Sequence, residues 1–456
     1  MGLQCDHAHS NLFLPKGPGL HPGYALKTGH MDGQAGFRHE RGTSDNSFVL
    51  NHIVEKYLTR SAPVYAAFID FRKAYDSIVR PILWKSLLSL GLHGPILDTL
   101  MAMYERTDVR VRCDGQLGDS FLSLLGVKQG DPLSPLLFGL FIDRIEKYLS
   151  IKCPGKGVHL CGKLLQVLLY ADDLVLLAES PADLQMLLDA LYDFCRLNGM
   201  QVNIKKSDLL VFNPPTSFIK PPIYYNGVEL NWQSSFIYLG IIFHESDGMA
   251  AAGERCLSKG RGALYAFIRR CHAIDLHNVH LKVHLFDSLV KPILLYGCEV
   301  WFPSLLATHR CILDNPFLRE LETMHKGFLK QCLGLRSSTS DSILMSELNR
   351  HPLSYNVLKQ TLVFRNKIMD RTDDDLVKIA MVESISMAKE GKRCWVSHLS
   401  RYFPSFLDSE HIPISILDSI LPDIHTNSSL PLSAFSVVRD RPDHERSGTK
   451  LQVLVF

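Results

Sequence analysis

Leu169-Tyr170-Ala171-Asp172-Asp173-Leu174-Val175-Leu176-Leu177-Ala178 sets two adjacent carboxylates between two apolar runs. Residues 164–169 predict one buried strand and residues 174–178 the next, with the acids at the tip of the hairpin. Ionised carboxylates in such apolar surroundings need water, cations or a metal. Asp is also an ordinary turn residue, so the pair gains meaning only from the rest of the chain. A second acid ends another apolar run, where Val64-Tyr65-Ala66-Ala67-Phe68-Ile69 leads into Asp70. Asp70 and Asp172 can meet if their strands are neighbours in one sheet. A cluster of this kind suits Mg²⁺ (or Mn²⁺), a hard cation that takes carboxylate and phosphate oxygens. Two such ions about 4 Å apart clamp the attacking and leaving oxygens of an in-line phosphoryl displacement.

At 456 residues the chain exceeds one comfortable core, so two or three domains are expected. Hydrophobic content of 46% and charged content of 21% are globular values and exclude a disordered chain. Formal net charge is only +2, so any surface that holds nucleic acid must be local. The 11 Cys include no CxxC pair and read as reduced intracellular thiols, not as a disulfide framework. No apolar run reaches the roughly 18 residues of a membrane helix, and no membrane partner is expected.

Residues 1–33 lack periodicity and read as an irregular tail. Residues 44–60 predict a helix ahead of the strand that ends at Asp70. Pro81 opens a second helix, with Leu83, Trp84, Leu87 and Leu88 as its apolar face and Gly91 as its stop. Residues 109–113 and 121–125 predict a hairpin around Asp114-Gly115. Leu133, Leu136, Leu137, Leu140 and Phe141 form a helical stripe, which places Gln129-Gly130 at a helix N-terminus suited to phosphate or nucleotide. Ser180-Pro181-Ala182-Asp183 is a helix start and Gly199 its end. Residues 203–212 predict a strand that begins with Lys205 and Lys206. Strands interleaved with helices around an Asp-Asp hairpin predict an α+β fold with a mainly antiparallel sheet. Prolines at 214, 215, 221 and 222 mark a break, and a short sheet segment is expected at 223–243.

Several of these segments together resemble a known family. Tyr170-Ala171-Asp172-Asp173 resembles motif C of reverse transcriptases, Phe68-Ile69-Asp70-Phe71-Arg72-Lys73-Ala74-Tyr75-Asp76 motif A, and Gly126-Val127-Lys128-Gln129-Gly130-Asp131-Pro132 motif B. Gln34-Ala35-Gly36-Phe37-Arg38 with Arg41-Gly42-Thr43-Ser44-Asp45 resembles the block upstream of motif A. Phe236-Ile237-Tyr238-Leu239-Gly240 resembles motif E, the primer grip. Leu295-Tyr296-Gly297-Cys298-Glu299-Val300-Trp301 looks like a segment carried after the palm. Order and spacing are similar to those of non-LTR (LINE-type) retrotransposons, over about residues 34–350.

The resemblance implies a right-hand polymerase palm with partial fingers at 34–243, a helical thumb at 244–340, and a helical C-terminal region at 341–456 with a disordered end. It implies RNA-directed DNA polymerisation, with RNA template, DNA primer and deoxynucleoside triphosphates as partners. Asp70, Asp172 and Asp173 would hold the metal ions. Phe71, Tyr75, Gln129 and Gly130 would lie at the nucleotide, with the Tyr75 ring beneath its sugar. Arg38, Lys205 and Lys206 would contact nucleic acid. So would Arg261, Arg269 and Arg270, in a stretch where Arg255 to Lys291 holds seven Lys or Arg against Asp275 and Asp287. Tyr265 and Phe267 lie within that stretch. His277, His280 and His284 share a helical face by spacing and read as ordinary surface histidines before zinc ligands. Cys5, His7 and His9 are a weaker hint of the same kind.

The family places a longer fingers region before Gln34, and Lys16 and Lys27 are the only Lys or Arg between Met1 and Gly33. A truncated copy with salt-sensitive nucleic-acid binding and little extension is therefore expected. Two other readings stay open. One is an inactive relic that binds nucleic acid, and the other is an RNA-dependent RNA polymerase, which Tyr75 disfavours.

Overall fold

Six consecutive apolar residues, Val64–Ile69, form β1 of the computed structural model, which describes residues 33–246, 248–307 and 311–417. β1 is the middle strand of a five-stranded sheet. On one side it pairs antiparallel with Asp173–Ala178 (β3), which in turn pairs with Val167–Tyr170 (β2). On the other it pairs antiparallel with Asp208–Phe212 (β4), and β4 runs parallel to Asn231–Gln233 (β5). The strands read as continuous apolar runs because both faces of the sheet are covered, and alternation then sorts their side chains between two cores.

One core holds Tyr65, Ala67, Ile69, Leu169, Leu174 and Leu176 of the sheet with Leu137 and Phe141 from Ser134–Ile142 (α2) and Leu187 and Leu191 from Pro181–Asn198 (α3). Local chemistry fixes the ends of α3. Ser180 accepts from the Asp183 N–H at its start, and Gly199 closes it with φ +73°. The other core holds Ala66, Phe68, Val175 and Leu177 with Phe48 and Ile53 of Thr43–Thr59 (α1). It continues without a break into the helices beyond residue 250. Phe48 meets Trp395 edge-on at 5.5 Å and Phe364 at 5.7 Å. Polar contacts reinforce that seam: Arg371 donates to both oxygens of buried Asp45 at 3.0 and 3.1 Å, and Arg41 to Asp375 at 3.0 Å.

Several local expectations need correction. The run predicted at 164–169 is two strands: Lys163–Leu165 pairs with Val158–Leu160, and β2 starts at Val167. Buried Gln166 separates them, because its amide is drawn to the carbonyls of Cys153 and Lys156 at 2.7 and 2.6 Å. Lys205 and Lys206 lie on a 3₁₀ turn, Ile204–Lys206, before β4 and not within it. α2 begins at Ser134, so Gln129 and Gly130 sit in a turn ahead of the helix and not at its N-terminus. Asp131 is the reason. Its carboxylate accepts from the Leu133 N–H at 2.9 Å and its carbonyl from the Ser134 N–H, which closes the helix start upon itself. Leu88, expected on the buried face of Arg80–Ser89, is exposed. His277 precedes the helix Val279–Leu289 that carries His280 and His284, so the three share no helical face. Among the described residues no helix is long and apolar enough to cross a membrane. The expectations placed on Cys5, His7, His9, Lys16, Lys27 and the polar C-terminus lie outside the described residues.

The continuity of the second core has a measurable consequence. Trp395 is fully buried, donates from Nε1 to Glu299 O at 3.0 Å and receives no solvent. Trp395→Ala should lower stability by roughly 3–5 kcal/mol. Urea unfolding followed by circular dichroism should still show one transition, because Trp395 and Phe48 belong to the same core. Separate transitions for the sheet and for the C-terminal helices would contradict this.

Candidate functional site

The register of β1 against β3 builds the site. Ile69 faces Leu174, so one step outward Asp70 faces Asp173, on the side of the sheet that carries Phe68 and Val175. Tyr170 pairs with Asp173 across the hairpin, which leaves Ala171 and Asp172 as its two-residue tip, with Ala171 at φ +57°. The acids read from the sequence are thus brought together by strand pairing between residues about a hundred positions apart.

Each acid has its own support. The Asp70 N–H donates to Ser207 Oγ at 3.1 Å, its carbonyl accepts from the Asn203 N–H at 2.7 Å, and its Oδ2 accepts from Asn203 Nδ2 at 3.0 Å. Asp173 keeps contact with solvent. Partial burial, and after it the charges of Asp172 and Asp70, still push its carboxyl up to about 6. Desolvation and like-charge neighbours both disfavour the ionised form. Carboxylate oxygens are the hard donors that Mg²⁺ or Mn²⁺ takes. As placed, no group of three His, Cys, Asp or Glu among the described residues stands ready to hold a metal ion; a divalent cation would offset the part of the Asp173 shift that comes from Asp172 and Asp70.

Aromatic rings flank the acids on both sides of the sheet. Tyr75 stacks on Phe138 of α2 at 4.6 Å, and burial, with the Asp172 charge behind it, pushes its hydroxyl up to about 12. On the opposite side the hairpin Ser235–Tyr238 (β6) and Ile241–His244 (β7) lies over β1, where Phe236 stacks on Phe68 at 4.2 Å. An open cleft of about 710 Å³ runs along Asp70 and the loop after it, with Arg72, Lys73, Asp76, Asn203 and Lys206 among its walls. Asp172 and Asp173 are not among them.

The other residues singled out in the sequence divide. Phe71 lines the cleft, but its ring is buried in the core and its backbone bridges to Val202. Gln129 is exposed and donates at 3.1 Å to Oδ1 of Asp76, which lines the cleft, while Gly130 turns the chain beside it with φ +85°. Lys206 lines the cleft; Lys205 is exposed next to it. Arg38 donates to Gln34 O at 2.9 Å, close to the hairpin tip. Arg261, Arg269 and Arg270 are elsewhere, exposed on Ala250–Ala273 (α4), and Arg261 is paired with Glu320. In the same helix Tyr265 is 66% exposed but Phe267 only 8%, packed on Phe328, so one of the two rings is core. Asn203 and Ser207 were not singled out. Their spacing after Gly199 carries no signal, and only the fold sets them on Asp70. Arg72 and Lys73 stand in the motif as quoted, but their place on the cleft wall is likewise a product of the fold.

Residues 26–243 match the family model described as reverse transcriptase (RNA-dependent DNA polymerase). The Pol polyprotein of the type-2 retrotransposable element R2DM of Drosophila melanogaster is 32% identical over 173 residues, which are 38% of this chain and 16% of that protein. The Pol polyprotein of the type-1 element R2 of Popillia japonica is 26% identical over 361 residues, 76% of this chain and 48% of that one. The chain therefore spans under half the length of these curated relatives. Among solved structures, apo telomerase from Candida tropicalis overlaps with a TM-score of 0.36 at 11% identity, over 78% of this chain and 59% of that one.

The crowded acids give a pH test. Asp173 binds its proton more tightly in the folded than in the unfolded chain, so stability should fall as pH rises from about 4 towards 6. Without divalent cations, Asp173→Asn should raise the melting temperature at pH 7.5. That gain should shrink to nothing near pH 4, where the wild-type carboxyl is also neutral. An unchanged melting temperature at pH 7.5 would remove the repulsion from the account.

Proposed function

We propose that this chain, whose residues 26–243 match the reverse transcriptase family and whose curated relatives are non-LTR retrotransposon polyproteins, extends a DNA primer on an RNA template. The observation that carries the proposal is the register that sets Asp70 against Asp173 with Asp172 at the adjoining tip. On this reading the five-stranded sheet is the palm and the segment around residues 33–60 belongs to the fingers. The β6–β7 hairpin is the primer grip, and α4 with the helices up to about residue 340 is the thumb.

Asp70, Asp172 and Asp173 would hold the divalent cations. When bound, these supply a lowered pKa for the primer 3′-OH and neutralise the charge on the leaving pyrophosphate. The chain's own groups position the reactants, which carries much of phosphoryl transfer. Asn203 keeps the Asp70 carboxylate turned by its amide donor. The Tyr75 ring, locked against Phe138, forms a floor under the sugar and meets a 2′-OH if one is present. Gln129 and Gly130 face the nascent base pair. Arg72, Lys73 and Lys206 line the cleft beside Asp70 and offer cations to a triphosphate there, which supports a grip independent of any segment before Gln34. Arg261, Arg269 and Arg270 would meet duplex phosphates, which makes binding salt-dependent.

Two substitutions test this reading by primer extension. Asp172→Asn keeps shape and removes charge, so extension should drop by several orders of magnitude while primer–template affinity stays nearly constant. Wild-type extension by that variant would refute the metal-site assignment, and a wild-type chain that binds but never extends would instead mark an inactive copy. Tyr75→Ala should raise ribonucleotide incorporation relative to deoxynucleotide incorporation. An unchanged ratio in a competition assay would dismiss the steric role of the ring and favour the RNA-polymerase alternative.

A further inference from the structure

We propose that Gln34 and Asn46 are positioning residues that hold the Ala171-Asp172 tip, and through it the metal-binding carboxylates, in place; this rests on the polymerase reading above. The residues before α1 run alongside β2 as a strap. Gln34 forms a parallel bridge to Leu169, with the Ala35 N–H donating to Leu169 O at 2.9 Å and the Leu169 N–H to Gly33 O at 2.8 Å. The Gln34 side chain then reaches past the end of the strand. Its Oε1 accepts from the Ala171 N–H at 3.2 Å and from the Gly36 N–H at 2.7 Å. Two donors on one atom fix which end of the amide is oxygen, and the Nε2 end is buried without a partner among the described residues.

Asn46, in the first turn of α1, donates from Nδ2 to Leu169 O at 2.7 Å. Gly36 lies so close that a Cβ there would meet Ala171 N at 2.2 Å. Three kinds of contact, a backbone bridge, two buried amides and a bare glycine, therefore converge on residues 169–171. Those residues immediately precede the two acids. Both amides are almost fully buried, at 1% and 2% exposure, so water does not replace them easily.

The physical need is specific. Ala171 adopts a left-handed backbone that is costly for a residue with a Cβ, and its N–H lies outside the strand ladder and is buried. Without an acceptor that N–H would be left unpaired, which favours a different turn. A different turn re-aims Asp172 and shifts Asp173 at its base. Second contacts of this sort commonly change metal affinity or activity by about 10–100-fold. The strap also carries Arg38, whose Nη1 donates to Gln34 O, so a nucleic-acid contact at Arg38 would act on the same lever.

The test compares wild type with Gln34→Met, which keeps shape and loses the acceptor, and with Asn46→Ala, which removes the second hold should Gln34→Met fail to fold. Three quantities are read on the full chain. They are Mn²⁺ affinity by electron paramagnetic resonance without nucleic acid, amide hydrogen exchange across residues 169–173, and single-turnover extension with saturating RNA–DNA primer–template. The expected result is Mn²⁺ affinity and extension rate each lowered about 10–100-fold, faster exchange at Ala171, and primer–template affinity within twofold of wild type. Equal Mn²⁺ affinity and equal exchange in folded variants would overturn the proposal. If the wild-type chain itself does not extend, the polymerase reading fails, and the Mn²⁺ and exchange measurements still decide this one.

Discussion

Antiparallel pairing of β1 with β3 is the constraint on which the site depends. It holds Asp70 across from Asp173 and leaves Asp172 at the tip. A slip of one residue would exchange the faces of every side chain in a strand. Here such a slip is barred from both sides, because Ala66 and Phe68 belong to one core while Tyr65, Ala67 and Ile69 belong to the other. The carboxylates are brought together by the packing of their strands, and Asp173 is partly buried in the process. The consequence is visible at Asp173, where burial first and the charges of Asp172 and Asp70 after it hold the proton more tightly than usual. Packed strands supply the rigidity that keeps like charges adjacent, and a divalent cation is the natural counter-charge.

Distant parts of the chain reach this sheet end from several directions. The loop after β1 brings Tyr75 against Phe138, and the β6–β7 hairpin brings Phe236 onto Phe68. Tyr296 holds the turn of that hairpin, donating its hydroxyl to Leu239 O at 2.9 Å. The strap at 33–38 lies along β2, and α1 behind it is held by Arg371 on Asp45 and Trp395 on Phe48, with Asp375 bound to Arg41 just before the helix. Those helices complete a core that begins at the sheet, so a change far from the acids can alter how firmly α1 and its Asn46 are held.

Features set by neighbours in the chain were legible from the sequence. Ser180 and Gly199 bound α3 as read, because a cap and a left-handed stop act within one helical turn. β1 and β3 were read from apolar runs, and their acids from the residues at the run ends. The misreadings arose where a side chain took a partner from elsewhere. Gln166 broke an apparent strand by turning to Cys153 and Lys156, and Asp131 delayed the start of α2 to Ser134.

The sequence by itself determined which residue types are present, in what order, and which short segments must be helix or strand. It was enough to point to three carboxylates, a ring after motif A and a basic helix. Tertiary structure alone decided that Asn203 turns the Asp70 carboxylate, that Lys206 shares a cleft with Arg72 and Lys73, and that Gln34 receives the N–H of Ala171 across 137 residues of chain. Capping and periodicity are local energies, felt within a few residues of their source. A buried amide chooses its partner only after packing has excluded water and brought remote backbone within 3 Å or so, and no spacing along the chain encodes that choice.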